Sequence, residues 1–311
     1  MLEQLFRKKS LIDNKTSQLK RCLNAFDLTL LGVGCIIGTG IFVLTGIVAA
    51  THSGPAIIIS FLLAGTACAF AALSYAELSS SIGGCGSAYG YSYVAFGELF
   101  AWIIGWILLL EYGVAIAAVA SGWSGYFNNA LVAINIGLPE YLINPPSSGG
   151  IINLPASIII LSIMLLLIAG VKESIKLNTI MVFIKISAIL IFIFIAIFNV
   201  NPNHWSPFIP FGWFDRLPDG ETIGIFAGAS IVFFAYVGFD AVSTAAEEAI
   251  NPQRDLPKGI IYSLIICTIF YVIVSALLTG VIYYEKLNVS DPVAFALSHL
   301  GYSWSSALVA T

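Results

Sequence analysis

The sequence predicts an all-α integral membrane bundle in which two of the crossing helices come apart at their centres. Three observations predict it. The 311-residue chain is 59% hydrophobic and 10% charged, with a mean hydropathy of +0.94, which lies outside the soluble globular range. Seven apolar runs, at 28–50, 55–80, 98–127, 151–170, 177–199, 222–248 and 259–284, are each long enough to cross about 30 Å of hydrocarbon at about 1.5 Å per residue. The first and sixth of these carry helix-weakening residues in their middles.

The basic segment 1–26 is expected on the cytoplasmic side. It carries Arg7, Lys8, Lys9, Lys15, Lys20 and Arg21. With that end inside, successive crossings add Lys172, Lys176, Arg254 and Lys258 to the same side, leave Arg216 and Lys286 outside, and place Lys185 within a span. This asymmetry follows the positive-inside rule and reads as a multi-pass protein of the inner (plasma) membrane with a cytoplasmic N-terminus. The first span is not a cleavable signal, since its basic head is long and mixed and no A-x-A-like site follows. Residues 27–311 then form the transmembrane domain, with a first repeat at about 27–199 and an incomplete second at about 222–311. An eighth apolar run opens near Tyr302 and reaches roughly half of the ~20 residues a span needs, so the chain reads as truncated at its C-terminus.

Metal and redox chemistry are not indicated. Cys22, Cys35, Cys68, Cys85 and Cys267 fall in spans or on the cytoplasmic side and lack the paired spacing of a zinc site. No cofactor is expected. The net charge of -4 says little about partners, and nothing points to nucleic acid.

The two interrupted spans carry the functional reading. The first is written "CIIGTGIF" from Cys35 to Phe42, and the sixth "FFAYVGFD" from Phe233 to Asp240. Five spans per half would run the two halves through the membrane in opposite senses. Glycine-interrupted segments at matching places in two such halves are the best sequence pointer to a transporter site. Gly34 and Gly38 also have the small-xxx-small spacing of helix packing, which stays open as the alternative for the first span. Broken backbone at membrane depth is tolerated only where it is buried or lines a cavity. An amino acid suits such a gap: its carboxylate can accept from the N–H groups of Thr39, Gly40 and Ile41, which open the second half-helix beyond Gly38. Its ammonium can donate to carbonyls left free near Ile36, Phe234 and Val237.

These residues carry a family resemblance. "GCIIGTGIFVLTG" from Gly34, "SYAELSSSIGGCGSAYGYSYVAFGELFAWIIGWILLLEY" from Ser74 to Tyr112, and "FFAYVGFDAVSTAAEEAINPQRDLPKGI" from Phe233 to Ile260 resemble bacterial members of the cationic amino acid transporter family. That family belongs to the amino acid, polyamine and organocation superfamily with the LeuT-type fold. The resemblance implies a proton-driven amino acid permease built as a five-plus-five inverted repeat, with the lipid bilayer, protons and an amino acid as its partners. It implies that the substrate carboxylate meets the amides of Thr39 and Gly40 and the ammonium meets the carbonyls of Ile36, Phe234, Ala235 and Val237. It implies too that Lys185 stands where relatives carry a lysine in place of a sodium site, and that Glu111 matches an acid which shapes the substrate site. Two departures stand out: Gly83-Gly84-Cys85 replaces a Pro-containing "IPxxG" pattern, and the chain stops where the eighth span begins.

Read from position alone, Lys185 lies about eight residues, or roughly 12 Å, into its span. A lysine that deep is a functional residue by default, with snorkelling as the alternative. Glu111 lies roughly 19 Å along the third span and is readable as a substrate partner, a proton acceptor or a static tie between helices. Phe234 sits at the break, where its ring could close over a substrate or pack in the core. Asp240 and Glu77 read as ties between helices. No catalytic pair supports an enzyme, since His52, His204 and His299 fall at span ends or in loops. A channel would want rows of like polar groups. An exchanger, an amino acid sensor and a truncated partner of another small membrane protein stay open as alternatives to a permease.

Overall fold

A computed structural model of the chain describes residues 6–9, 21–82, 84, 86–133, 136–169, 171–218 and 220–302. The expected start of an eighth span at 303–311, and Gly83 and Cys85 of the departing turn, lie outside the described residues. The described chain is helical apart from one two-stranded hairpin. Among the described residues, five helical stretches are long and apolar enough to cross a membrane: Gly40–Ser81, Glu98–Val132, Thr179–Ile197, Ile225–Glu247 and Pro252–Val281. Two shorter apolar helices, Ala25–Ile36 and Leu154–Ile168, accompany them. The protein is thus a multi-pass membrane helical bundle.

Helix α1 (Ala25–Ile36) starts at a reciprocal cap. Asn24 Oδ1 accepts from the N–H groups of Phe26 (2.8 Å) and Asp27 (3.2 Å), while Asp27 Oδ2 accepts from the Asn24 N–H at 3.0 Å, so orphan donors of the first turn are met by side chains. After Ile36 the helix stops at a bend over Ile37 and Gly38, and the chain resumes as a wide π-wound turn at Gly40–Leu44, then α2 (Thr45–Val48), then a second π-wound turn at Ala49–Ser53. Gly54, at φ +60°, and Pro55 turn the chain into α3 (Ile57–Ser81). The 42-residue stretch Gly40–Ser81 would be about 63 Å long if straight, twice what one crossing needs, and this turn divides it.

Helices α4 (Ser87–Ala95), α5 (Glu98–Ala133), α6 (Leu154–Ala169) and α7 (Val171–Ile197) follow. Strands β1 (Asp215–Arg216) and β2 (Thr222–Ile223) pair antiparallel, with Arg216 opposite Thr222. Helix α8 (Ile225–Val232) runs into a 3₁₀ turn at Phe233–Tyr236. Beyond Gly238, at φ +119°, come α9 (Ala241–Thr244), α10 (Pro252–Val281) and α11 (Pro292–His299).

The chain divides into two compact units. The first comprises Met1–Ile36, Gly65–Ala115 and Tyr236–Thr268; the second comprises Ile37–Ala64, Ile116–Ala235 and Ile269–Thr311. Within the first unit, α1 and α10 approach closely at small residues. A Cβ built on Gly32 would stand 2.6 Å from Ser263 Cβ, and one on Gly259 would stand 2.7 Å from Leu28 Cβ. The strand-like segment before α1 joins the end of the sixth span: the N–H groups of Cys22 and Leu23 donate to Glu248 O, and the Ile250 N–H donates to Leu23 O. Arg7 pairs with Glu98 at 3.1 Å.

Within the second unit, Gly46 meets α11, since a Cβ there would fall 2.3 Å from Pro292 Cβ. Asp291, at the cap of α11, is held above the usual carboxylate range by burial, with hydrogen bonds to Asn129 and Ser290 opposing the shift.

Two outcomes follow from this packing. Gly32→Val places two methyl-bearing branches into a space with no room for one carbon and is expected to destabilise the folded protein by about 1–3 kcal/mol, read as a lowered thermal unfolding midpoint. Asp291 has a raised folded pKa, so its contribution is favourable at acid pH and is lost as pH rises through that pKa. Asp291→Asn is therefore expected to raise the midpoint at about pH 7 and to leave it unchanged at about pH 3, below the ordinary carboxylate range.

Candidate functional site

The second unit holds the bend of the first span together with the carbonyl-rich turn of the sixth. At the bend, Gly38 O accepts from the N–H groups of Ile41 (3.2 Å) and Phe42 (3.3 Å). The Ile41 amide is thus engaged within the turn, and the amides of Thr39 and Gly40 precede it. Gly38 and Gly40 play different parts. A Cβ on Gly38 would meet nothing within 4 Å, whereas one on Gly40 would stand 2.4 Å from Ala235 Cβ and 2.7 Å from Ala235 Cα. Gly40 therefore admits the backbone of the sixth span, and Gly38 borders open space. That openness does not fit a helix-packing role for Gly38; Gly32 of α1 is the glycine pressed against Ser263.

Side chains from three other helices satisfy the backbone here. Lys185 Nζ, on α7, donates to Ile37 O at 2.9 Å. Tyr126 Oη, on α5, donates to Phe42 O at 2.5 Å. Tyr271 Oη, on α10 and fully buried, donates to Ala235 O at 2.6 Å. Gly122 on α5 leaves room for the methyl of Thr39, which would lie 2.6 Å from a Cβ at that position. Thr45 Oγ1 closes the wide turn by donating to Gly40 O at 3.1 Å. So the structure brings together Gly38, Thr39, Gly40, Ile41, Ala235 and Lys185 from the predicted set, with Phe234 half-buried beside Ala235.

Tyr126, Tyr271 and Gly122 were not anticipated. The available signal was a hydroxyl inside an apolar span, which has to find a partner, but the sequence holds 13 tyrosines and does not say which carbonyl each will reach.

The first unit holds the complementary ends. Ile36 closes α1 and is 3% exposed. Val237 is half-buried. The turn at Gly238 lies against the end of α1, since a Cβ there would fall 2.9 Å from Cys35 O; its positive φ and this close approach together call for glycine. Asp240 is 7% exposed and accepts from Tyr112 Oη at 2.5 Å, so it ties the sixth span to α5. Ser243 Oγ donates to Asp240 O at 2.6 Å and lies 3.0 Å from Ser87 Oγ. Glu111, beside Tyr112 on the helix, is exposed in this unit and near enough to Asp240 for their charges to interact.

Elsewhere in the second unit, the groove bounded by Leu190, Phe194, Phe198 and Tyr302 is walled by apolar groups and offers little to a charged ligand. Among the described residues, no three His, Cys, Asp or Glu side chains gather as a metal site. What the geometry supplies is a set of peptide dipoles at a break, beside one lysine.

Comparison with known proteins gives the family. Residues 23–311 match the family described as amino acid permease. The chain is similar to the methylthioribose transporter of Bacillus subtilis (strain 168), 54% identical over 306 residues that cover 96% of this chain and 64% of the relative. It is similar to the branched-chain amino acid permease BcaP of the same organism, 49% identical over 319 residues, 99% of this chain and 66% of the relative. Cationic amino acid transporter 4 of Homo sapiens is 37% identical over 318 residues, 100% of this chain and 49% of that protein. The chain therefore spans a little under two thirds of the two Bacillus relatives, 64% and 66%.

The contrast between the two glycines is open to test. Gly40→Ala is expected to destabilise by about 1–3 kcal/mol, because the methyl group meets main chain. Gly38→Ala should shift the thermal midpoint by less than about 0.5 kcal/mol equivalent. Thermal unfolding of the two variants separates them.

Proposed function

The chain belongs to the amino acid permease family, a family of transporters and not of enzymes, and from that premise we propose that it takes up an amino acid across the inner (plasma) membrane by proton-coupled alternating access. In this reading the fold is the LeuT-type inverted repeat, with seven spans in the chain, the first and sixth discontinuous, and the N-terminus cytoplasmic. The substrate carboxylate takes the amides of Thr39 and Gly40 beside the open space at Gly38. Its ammonium takes the carbonyls of Ile36, Phe234, Ala235 and Val237. Ala235 O already accepts from Tyr271 but keeps a second lone pair. Ile41 contributes through its side of the turn, and Glu111 enters the reading only through the resemblance, as an acid that shapes the substrate site.

The observation that carries the reading is the 2.9 Å bond from Lys185 Nζ to Ile37 O. A charged amine there fastens α7 to the broken backbone of the first span. Loss of its proton removes the charge that holds this bond strongly, so proton release and rearrangement of the break are one event. Two arguments favour a neutral, apolar amino acid as the substrate: the 49% identity to a branched-chain amino acid permease, and a break whose dipoles match a zwitterion. A thio-sugar, suggested by the 54% identity to a methylthioribose transporter, lacks the ammonium–carboxylate pair and would leave those dipoles unused.

The test is uptake of labelled leucine by the purified chain in liposomes under an inward proton gradient, with alanine, arginine and methylthioribose as competitors. A difference of about one pH unit is expected to drive roughly tenfold accumulation at one proton per substrate. Lys185→Ala should bind leucine yet reach no more than equal concentrations on both sides. Gradient-independent uptake, or competition by methylthioribose in place of amino acids, would overturn the reading.

A further inference from the structure

Residues 6–9 are laid along the corner between α4 and α5. Arg7 Nη2 lies 3.1 Å from Glu98 Oε2 and donates to Tyr93 Oη at 3.3 Å, while Tyr93 Oη donates to Glu98 Oε2 at 3.3 Å. The three side chains thus close a triangle. The Lys9 N–H donates to Tyr93 O at 3.3 Å, so the strap is held by main chain as well as by charge. Gly97, at φ +101°, lets the Phe6 backbone pass, since a Cβ there would fall 2.9 Å from Phe6 C and O; both conditions call for glycine. Glu98 stands in the first turn of α5, where a carboxylate suits the positive end of the helix.

The docked strap presents more positive charge than the corner neutralises. Lys8 and Lys9 are exposed, and among the described residues no carboxylate stands within ion-pair distance of either. Arg7 turns one terminal nitrogen to Glu98 and Tyr93, and its planar fork has further N–H groups to give. Three cations therefore face one carboxylate. Phe6, Phe96 and Phe100 are exposed on the same corner, with the rings of Phe96 and Phe100 5.7 Å apart. Glu98 begins the stretch Glu98–Val132 that is long and apolar enough to cross a membrane, so the corner lies where hydrocarbon gives way to headgroups.

We propose that the corner formed by Phe6–Lys9 and the α4–α5 turn is a docking surface for an anionic phospholipid, whose phosphate meets Arg7, Lys8 and Lys9 and whose acyl chains lie against Phe96 and Phe100. Charge complementarity selects the occupant: a cluster of cations at the headgroup level attracts an anionic lipid and gains nothing from a zwitterionic one. The exposed phenyl rings add the apolar half of an interfacial anchor. The strap supplies the cations only because Gly97 and Tyr93 hold its backbone in place, so the site is built by the fold and is not a loose basic tail. In the orientation proposed above the lipid belongs to the cytoplasmic leaflet; binding itself does not depend on that orientation, since lipid can be offered on both faces.

The experiment places the full chain in nanodiscs of equal parts phosphatidylglycerol and phosphatidylcholine and counts the lipids that stay bound, by mass spectrometry of the intact protein. Phosphatidylglycerol is expected to be retained over phosphatidylcholine by at least roughly fivefold, the factor expected for one cation at a lipid surface. Lys8→Gln/Lys9→Gln, at two exposed positions, should bring that ratio close to one. Arg254→Gln/Lys258→Gln removes the same charge from α10 and should leave the ratio unchanged, as should an excess of inorganic phosphate. A ratio near one in the unsubstituted chain, an equal loss in both double variants, or displacement of the lipid by inorganic phosphate would overturn the proposal.

Discussion

A lipid interior offers no water to a peptide carbonyl, and each one left without a partner there costs several kcal/mol. Everything distinctive about this chain grows from how it meets that constraint where two helices are broken. Ile37 O is met by Lys185, Phe42 O by Tyr126 and Ala235 O by Tyr271. Three long side chains, each from a different helix, replace bonds that a regular helix would have made within itself. The breaks are therefore not local weaknesses of sequence but joints held from outside, and their geometry depends on where α5, α7 and α10 place those side chains.

The second requirement is room. Backbone can approach backbone only where no Cβ intervenes, and at each of the two breaks a glycine allows it. In the second unit Gly40 admits Ala235; in the first, Gly238 admits the carbonyl of Cys35. Both contacts join a first-span residue to a sixth-span residue, so the same pair of segments is brought together in each unit by the same device. Gly38, with nothing within 4 Å of a Cβ there, does the opposite: it leaves space open beside the break.

Much of this was legible in the sequence, for reasons that differ residue by residue. Composition and apolar run length report directly on the solvent, so the membrane helical bundle could be read, although of the seven expected crossings the described residues give five helical stretches long enough to span and two shorter apolar helices. The breaks could be read because glycine and acid are out of place in a span. Lys185 could be read because a lysine at that depth needs a reason, and Asp240 was correctly placed as a tie between helices. The spacing of Gly34 and Gly38 left helix packing open as an alternative, and only the neighbours decide for Gly38: Gly32 is pressed against Ser263, whereas Gly38 has nothing within 4 Å of its Cβ position. Tyr271 and Tyr126 were illegible because their acceptors lie 36 and 84 positions away along the chain, and periodicity carries no information about such pairs. The identity of a substrate side chain was illegible for a related reason, since in the proposed reading the backbone dipoles at the break meet only what all amino acids share.

The short strand-like pairing at Leu23 has a mechanical consequence. Its three hydrogen bonds to Glu248 and Ile250 rivet the root of α1 to the tail of the sixth span, and Asn24 then hands that attachment to the helix through its cap. Neither element can tilt by itself without tearing the rivet. Within this unit, any swing of one carries the other as a single lever arm.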